Sequence, residues 1–240
     1  ENVAAGLDKG GHQVLKMDPS EPERVYTIME KVHEGPVGEI PVGENRPLTP
    51  VQAAEFLSSL KRYSIDLVFP MLHGGWGEDG KLQALLEITG VPFVGSGAAA
   101  SALAMNKHLS KRVVSTAGIN IAEYFFLERE DFGEAQGLCN DFGYPLVIKP
   151  NRGGSTVGLS IVRNADEVPQ AVEEIEKLGD NMIVERYIPG REITVGIFQE
   201  QGMSVVEIIP QHGGFYDYRH KYTEGASRYV CPAEIGLDKT

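Results

Sequence analysis

Cysteine is scarce in this chain. Among its 240 residues there are two, Cys139 and Cys231, far apart and without metal-ligand spacing. That excludes a disulfide framework and points to a reducing compartment, with both thiols read as small buried hydrophobes. None of the six histidines stands at ligand spacing from a cysteine or another histidine, and no persuasive Ser-His-Asp order is present. Positive charge is also short: Lys and Arg number 22 against 34 acidic residues, a net charge of −12. A basic face for nonspecific nucleic-acid binding is therefore not expected, although a few local lysines can still reverse the field in one cleft. No run reaches the roughly 18–20 apolar residues that a membrane helix needs. No signal-peptide pattern is visible; "ENVAAGLDKGG" instead reads as a helix already under way, which places the expected start of the protein upstream of Glu1.

What is present is the composition of a globular α/β protein, 42% hydrophobic and 23% charged. "GHQVLKMD" reads as a short strand. "LTPVQAAEFLSSLKRYS" reads as a helix, with Thr49 as its cap and Pro50 in its first turn. "IDLVFPML" reads as a buried strand, "GEDGKLQALLEITG" as a helix stopped by Gly90, and "VPFVGS" as a second strand, together a parallel βαβ unit. The Ala-rich stretch after Ser96 reads as helix in two pieces, with Asn106 capping the second. "AEYFFL", "YPLVIKP", "TVGLSIV" and "NMIVERYI" read as strands, with the helix "ADEVPQAVEEIEKLG" before the last. "EITVGIF" and "MSVVEIIP" follow as a strand pair, and the chain from Gln211 onward reads mostly as loop. Boundaries are expected near Ser96 and Arg186.

Four stretches could carry chemistry, and each has a bland alternative. "KPNRGGSTVGLSIV" is not a Walker loop, because its lysine precedes the glycines and a strand follows. It is either a glycine hairpin with a nearby lysine, or a loop whose Gly153 and Gly154 N–H groups, with Ser155 and Thr156, donate to phosphate oxygens beside Lys149. "VERYIPGRE" is either a hairpin with wet charges or a strand end whose backbone reads an adenine edge. In the second case Glu185 accepts from the amine and Glu192 from ribose hydroxyls. "HGGWGEDG" is either a helix-start turn or a ligand loop at a strand's carboxyl end. "FYDYRHKYTEGASRYVCP" sets three tyrosines and Lys221 close together, as a lid or as a packed loop. Lys107, in "MNKHLSK", reads as a surface helix lysine unless something places it.

In this order the four stretches resemble the D-alanine–D-alanine ligases of the ATP-grasp superfamily. "FPMLHGGWGEDGKLQALLEITGVPFVGSG" resembles that family's N-terminal signature, "MNKHLSKRVVSTAGI" its helix with the first nucleotide lysine, "YPLVIKPNRGGSTVGLSIV" its phosphate-covering loop and "FYDYRHKY" its ω-loop. The resemblance spans nearly the whole chain. It implies an ATP-grasp fold behind a Rossmann-like parallel-sheet domain, with domains at 1–96, 97–185 and 186–240, the last truncated. It implies that Lys107 and Lys149 contact the α- and β-phosphates. Gly154, Ser155 and Thr156 would cover the triphosphate, with Ser155 also in the catalytic hydrogen-bond network. Glu185, Arg186, Tyr187 and Ile188 would hold adenine, and Glu192 ribose. His73 would lie by the acyl-phosphate site, and Lys221 and Tyr222 in the lid.

The implied reaction joins two D-alanines through an acyl phosphate, with ATP and Mg2+ or Mn2+, for peptidoglycan precursor synthesis. A cytoplasmic homodimer is implied, with no nucleic-acid or membrane partner. The family's catalytic glutamate loop is expected upstream of the opening helix, and its metal ligands (an Asp, a Glu and an Asn) beyond residue 240. Two other readings stay open: a variant making D-alanyl-D-lactate or D-alanyl-D-serine, and a nucleotide-binding module without chemistry. Tyr222 is the family feature that favours an amine nucleophile over a hydroxy acid.

Overall fold

A computed structural model describes residues 2–20, 25–26, 48–72, 74–210 and 225–236. The described residues fall into two compact units, one through Met105 and the other from Asn106.

The first unit begins with helix α1 (Asn2–Lys9), followed by the short antiparallel pair β1 (Lys16–Met17) and β2 (Val25–Tyr26). Helix α2 (Pro50–Arg62) starts where the sequence indicates. The Thr49 hydroxyl accepts from the Gln52 N–H at 3.2 Å, and the Thr49 N–H donates to Gln52 Oε1 at 2.9 Å, a reciprocal capping box. Helix α3 (Lys81–Thr89) ends at Gly90, whose φ of 70° is the left-handed conformation expected of a helix stop. It starts later than expected, because Gly80 takes a left-handed φ of 92° that cannot belong to a right-handed helix, after a 3-10 turn at Gly75–Gly77. Helix α4 (Ala98–Met105) closes the unit. Phe56, Leu60, Leu82 and Leu86 form the core, with Trp76, Val68 and Phe93 packed against it.

The two expected parallel strands of this unit shrink to one parallel bridge, Val68 to Phe93. The Val68 N–H donates to Pro92 O and the Val94 N–H to Val68 O, both at 2.9 Å. Pro70 and Pro92 carry no N–H and interrupt the ladder on each side. Leu67, Phe69 and Met71 are exposed, so the expectation of a buried strand over residues 65–72 is corrected.

The second unit opens with α5 (Lys107–Thr116), capped by the Asn106 side chain, which accepts from the Leu109 N–H at 3.0 Å. Strands β3 (Tyr124–Leu127), β4 (Leu146–Pro150), β5 (Ser160–Val162) and β6 (Met182–Arg186) form an antiparallel sheet in the order β3-β6-β4-β5. Helices α6 (Ala135–Phe142) and α7 (Val168–Leu178) cover one face. Leu127, Leu146, Ile148, Val162, Met182 and Val184 point into that layer, against Ala135, Cys139, Ala171 and Ile175. Cys139 is fully buried, and burial pushes its thiol up to about 11.

Helix α6 is absent from the sequence reading; Gly137, Asn140 and Asp141 make it a weak helix former, and tertiary burial of Ala135 and Cys139 holds it. Strand β5 is shorter than expected, because Ser155 and Thr156 take positive φ and belong to the loop. Beyond the sheet, β7 (Glu192–Phe198), β8 (Gln201–Pro210) and β9 (Ser227–Val230) form an antiparallel sheet, with a register shift between Val195 and Ile197. Strand β9 lies in the stretch that was expected to be mostly loop.

Candidate functional site

The sheet's second face follows from side-chain alternation. If Ile148 and Val184 point toward α6 and α7, their neighbours Lys149 and Glu185 must point the other way. The register sets Glu185 between Tyr124 and Val147, and Lys149 opposite Ile183. Lys149 and Glu185 are thus diagonal neighbours on one face. The Lys149 ammonium donates to Glu185 Oε2 at 2.7 Å.

Helix α5 lies over this face. His108 stacks on Phe126 with ring centroids 4.5 Å apart, and Lys111 Nζ stands 5.0 Å from the Tyr124 ring centre. Lys107 and Lys111 are four residues apart and share one side of the helix. Lys111 Nζ is 3.1 Å from Glu185 Oε1, an ion pair without hydrogen-bond alignment. It also donates to Ala122 O at 3.3 Å. Glu185 is only 7% exposed and is bracketed by two ammonium groups.

Lys107 is placed differently. Its ammonium donates to Gly153 O at 2.9 Å and to Asn151 O at 3.4 Å. Burial, and then the nearby Lys149 charge, hold its pKa down at about 8, against the opposing pull of Asp180 and Glu185. An ammonium that is desolvated and crowded by another cation favours the arrival of an anion.

Asn151, 3% exposed, fixes the start of α5 to the end of β4. Its carbonyl accepts from the Lys107 N–H at 3.0 Å, its Oδ1 accepts from the His108 N–H at 2.9 Å, and its Nδ2 donates to Asn106 Oδ1 at 3.2 Å. The loop that follows has positive φ at Gly153 (86°), Ser155 (51°), Thr156 (61°) and Gly158 (70°). A Cβ on Gly153 or Gly154 would meet nothing within 4 Å, whereas one on Gly158 would come within 2.4 Å of Leu178 Cδ1. The loop is open near Lys107 and tied to the core at its far end.

The structure therefore gathers Lys107, Lys149, Glu185 and the loop with Gly154, Ser155 and Thr156 around one place. The end of β6 is more committed than a free strand end. The Arg186 N–H donates to Glu123 O at 3.0 Å and the Tyr187 N–H to Pro145 O at 3.2 Å. The Arg186 side chain is spent on Glu123 at 3.1 Å and lies over the Phe142 ring. Neither N–H is left for an adenine edge, which narrows the expected base contacts at this strand end. Ile188 is exposed, and Glu192 opens β7 opposite Ile208. His73, Lys221 and Tyr222 lie outside the described residues. Sequence reasoning missed Lys111 and Asn151; the four-residue spacing from Lys107 was the available signal for Lys111, and nothing local marked Asn151.

The model for "D-ala D-ala ligase N-terminus" matches residues 4–96, and that for "D-ala D-ala ligase C-terminus" matches residues 113–239. A D-alanine–D-alanine ligase of Geobacter sulfurreducens is 42% identical over 80% of this chain and 58% of its own length. One of Gloeobacter violaceus is 37% identical over 98% of this chain and 68% of its own. Among solved structures, D-alanyl-alanine synthetase A of Vibrio cholerae matches with TM-score 0.58 and 30% identity, over 69% of this chain and 52% of that one. The VanG D-Ala:D-Ser ligase of Enterococcus faecalis matches with TM-score 0.62 and 38% identity, over 72% and 51%. The fold is that of the ATP-grasp class, with helices and sheet mixed (α+β overall). Within that class, the chain belongs to the D-alanine–D-alanine ligase family. It spans a little under three-fifths of the Geobacter relative.

Proposed function

We propose that the protein of which this chain is a part ligates two D-alanines at the expense of ATP, for peptidoglycan precursor synthesis. The supporting observation is the convergence of the Lys107 and Lys149 ammonium groups beside a glycine loop, with a buried carboxylate beneath them. Lys107 and Lys149 neutralise the nucleotide's phosphates and hold them in place. Gly154, Ser155 and Thr156 cover the triphosphate and exclude water. Glu185 accepts from the adenine amine, with Tyr187 and Ile188 beside the base and Glu192 at the ribose. His73, Ser155, Lys221 and Tyr222 attend the reacting carboxylate. The phosphoryl group passes to the carboxylate of one D-alanine. The amine of the second attacks that carbonyl, and phosphate leaves as the peptide bond forms.

Domains at 1–96, 97–185 and 186 onward, a homodimer and a cytoplasmic location belong to the same reading. No described helix is long and apolar enough to cross a membrane. Among the described residues no three His, Cys, Asp or Glu side chains group to hold a metal ion. The likeness to a D-Ala:D-Ser ligase favours D-serine as a second acceptor to be tested. The test is ATP turnover by the full-length protein with D-alanine, D-serine or D-lactate offered, and the product identified by mass. D-alanyl-D-alanine as the main product is expected. Turnover with none of the acceptors overturns the proposal.

Lys107 makes binding pH-dependent. Its ammonium is half neutral near pH 8 in the free protein, and a polyphosphate raises that pKa again. Nucleotide binding is expected to take up a proton, and affinity to fall as pH rises from about 7 to 9. Calorimetry in buffers of different ionisation enthalpy measures that uptake. Flat affinity with no proton uptake across this window would separate Lys107 from the phosphates.

A further inference from the structure

The proposed function requires Lys149 to serve phosphate, yet in the free protein Lys149 is tied to Glu185 at 2.7 Å. A lysine that turns from a buried carboxylate leaves an uncompensated charge in a poorly solvated place, which is strongly unfavourable. The carboxylate needs a second cation that stays. Lys111 meets that need by position. It approaches the other oxygen, Oε1, at 3.1 Å and is held there by Ala122 O and the Tyr124 ring, with its side chain only 15% exposed. Unlike Lys107, it makes no described hydrogen bond to the glycine loop. Helix α5 thus carries two lysines one turn apart, one turned to the loop and one to Glu185.

We infer that Lys111 is a positioning residue: as the standing counter-ion of Glu185, it frees Lys149 to exchange that carboxylate for a nucleotide phosphate. This rests on the nucleotide reading above and adds to it a residue that touches neither nucleotide nor amino acid. In the absence of Lys111, Glu185 holds Lys149 more tightly, and phosphate must compete with it.

The test measures ADP affinity of the full-length protein by calorimetry. Lys111→Met is expected to weaken binding roughly tenfold or more, and Lys111→Arg to restore most of it. The double variant Lys111→Met with Glu185→Gln is expected to lose less affinity than the two single changes summed, because a neutral amide no longer detains Lys149. A merely structural role would make the two changes add. Wild-type affinity in Lys111→Met, or simple additivity in the double variant, overturns the inference. If Lys111→Met does not fold, failure of Lys111→Arg to bind as wild type overturns it in the same way. A Lys149→Ala control keeps the two levels apart. Unchanged ADP affinity in that control defeats the nucleotide reading, whereas lost affinity there with an unaffected Lys111→Met defeats only the role given to Lys111.

Discussion

Lys149→Ala in the full-length protein lowers turnover by roughly two to three orders of magnitude, the scale of one preorganised charge donor at the reacting group. The size follows from where the lysine stands. It sits on a central strand rather than a loop, so its backbone is fixed before substrate arrives and only its ammonium has to move, from Glu185 to the phosphate. A neighbouring side chain cannot take over. Lys107 donates to the loop carbonyls from another element, and Lys111 is engaged with Glu185. The fold should survive, because Lys111 still neutralises the carboxylate. The measurement is the initial rate of D-alanine-dependent phosphate release, with a thermal melt beside it. Near wild-type turnover removes Lys149 from the mechanism, and a collapsed melt shows that its role was structural.

The opposite change has the opposite signature. Glu185→Ala leaves the Lys111 and Lys149 ammonium groups facing each other, with Lys107 near, around a site that has lost its anion. Removing one partner of a buried ion pair destabilises by about 3–5 kcal/mol. The lower figure applies here, since the two lysine side chains keep some contact with solvent. The loss is read as a lower urea midpoint for the unit that begins at Asn106. Glu185→Gln, which keeps volume and an acceptor oxygen, should lose less. An unchanged midpoint in Glu185→Ala would mean that the lysines relax into water, and that the carboxylate holds nothing together.

Much of this arrangement was legible in the residues, for reasons that differ by element. Helices α2 and α5 announce themselves through local chemistry: Thr49 with Pro50, and Asn106 at a helix start. Strands β4 and β6 are visible because "LVIKP" and "MIVER" are apolar runs bounded by turn residues. The glycine loop could be read as a loop because Gly153 and Gly154, with two hydroxyl residues, interrupt the run between β4 and β5. What stayed hidden depends on contacts between distant segments. Helix α6 is eight residues of weak helix formers, held by its neighbours. Strand β9 gains its ladder only from β8. The burial of Asn151 and the seat of Lys111 on Tyr124 arise only when α5 lies over the sheet. The parallel strands of the first unit were overestimated because apolar content is visible in sequence, whereas proline's effect on a ladder depends on what lies beside it.

The glycine loop is asymmetric in a way that bears on how its sequence can drift. Gly154 has open space around it and no positive φ, so larger residues fit there without disturbing the scaffold. Gly158 holds a left-handed φ of 70°, and a Cβ there would come within 2.4 Å of Leu178 Cδ1 and 3.3 Å of Pro150 Cδ, so any side chain there strains the turn. Variation is therefore channelled to one rim of the turn, while the other rim is held to glycine by its backbone conformation and its close neighbours.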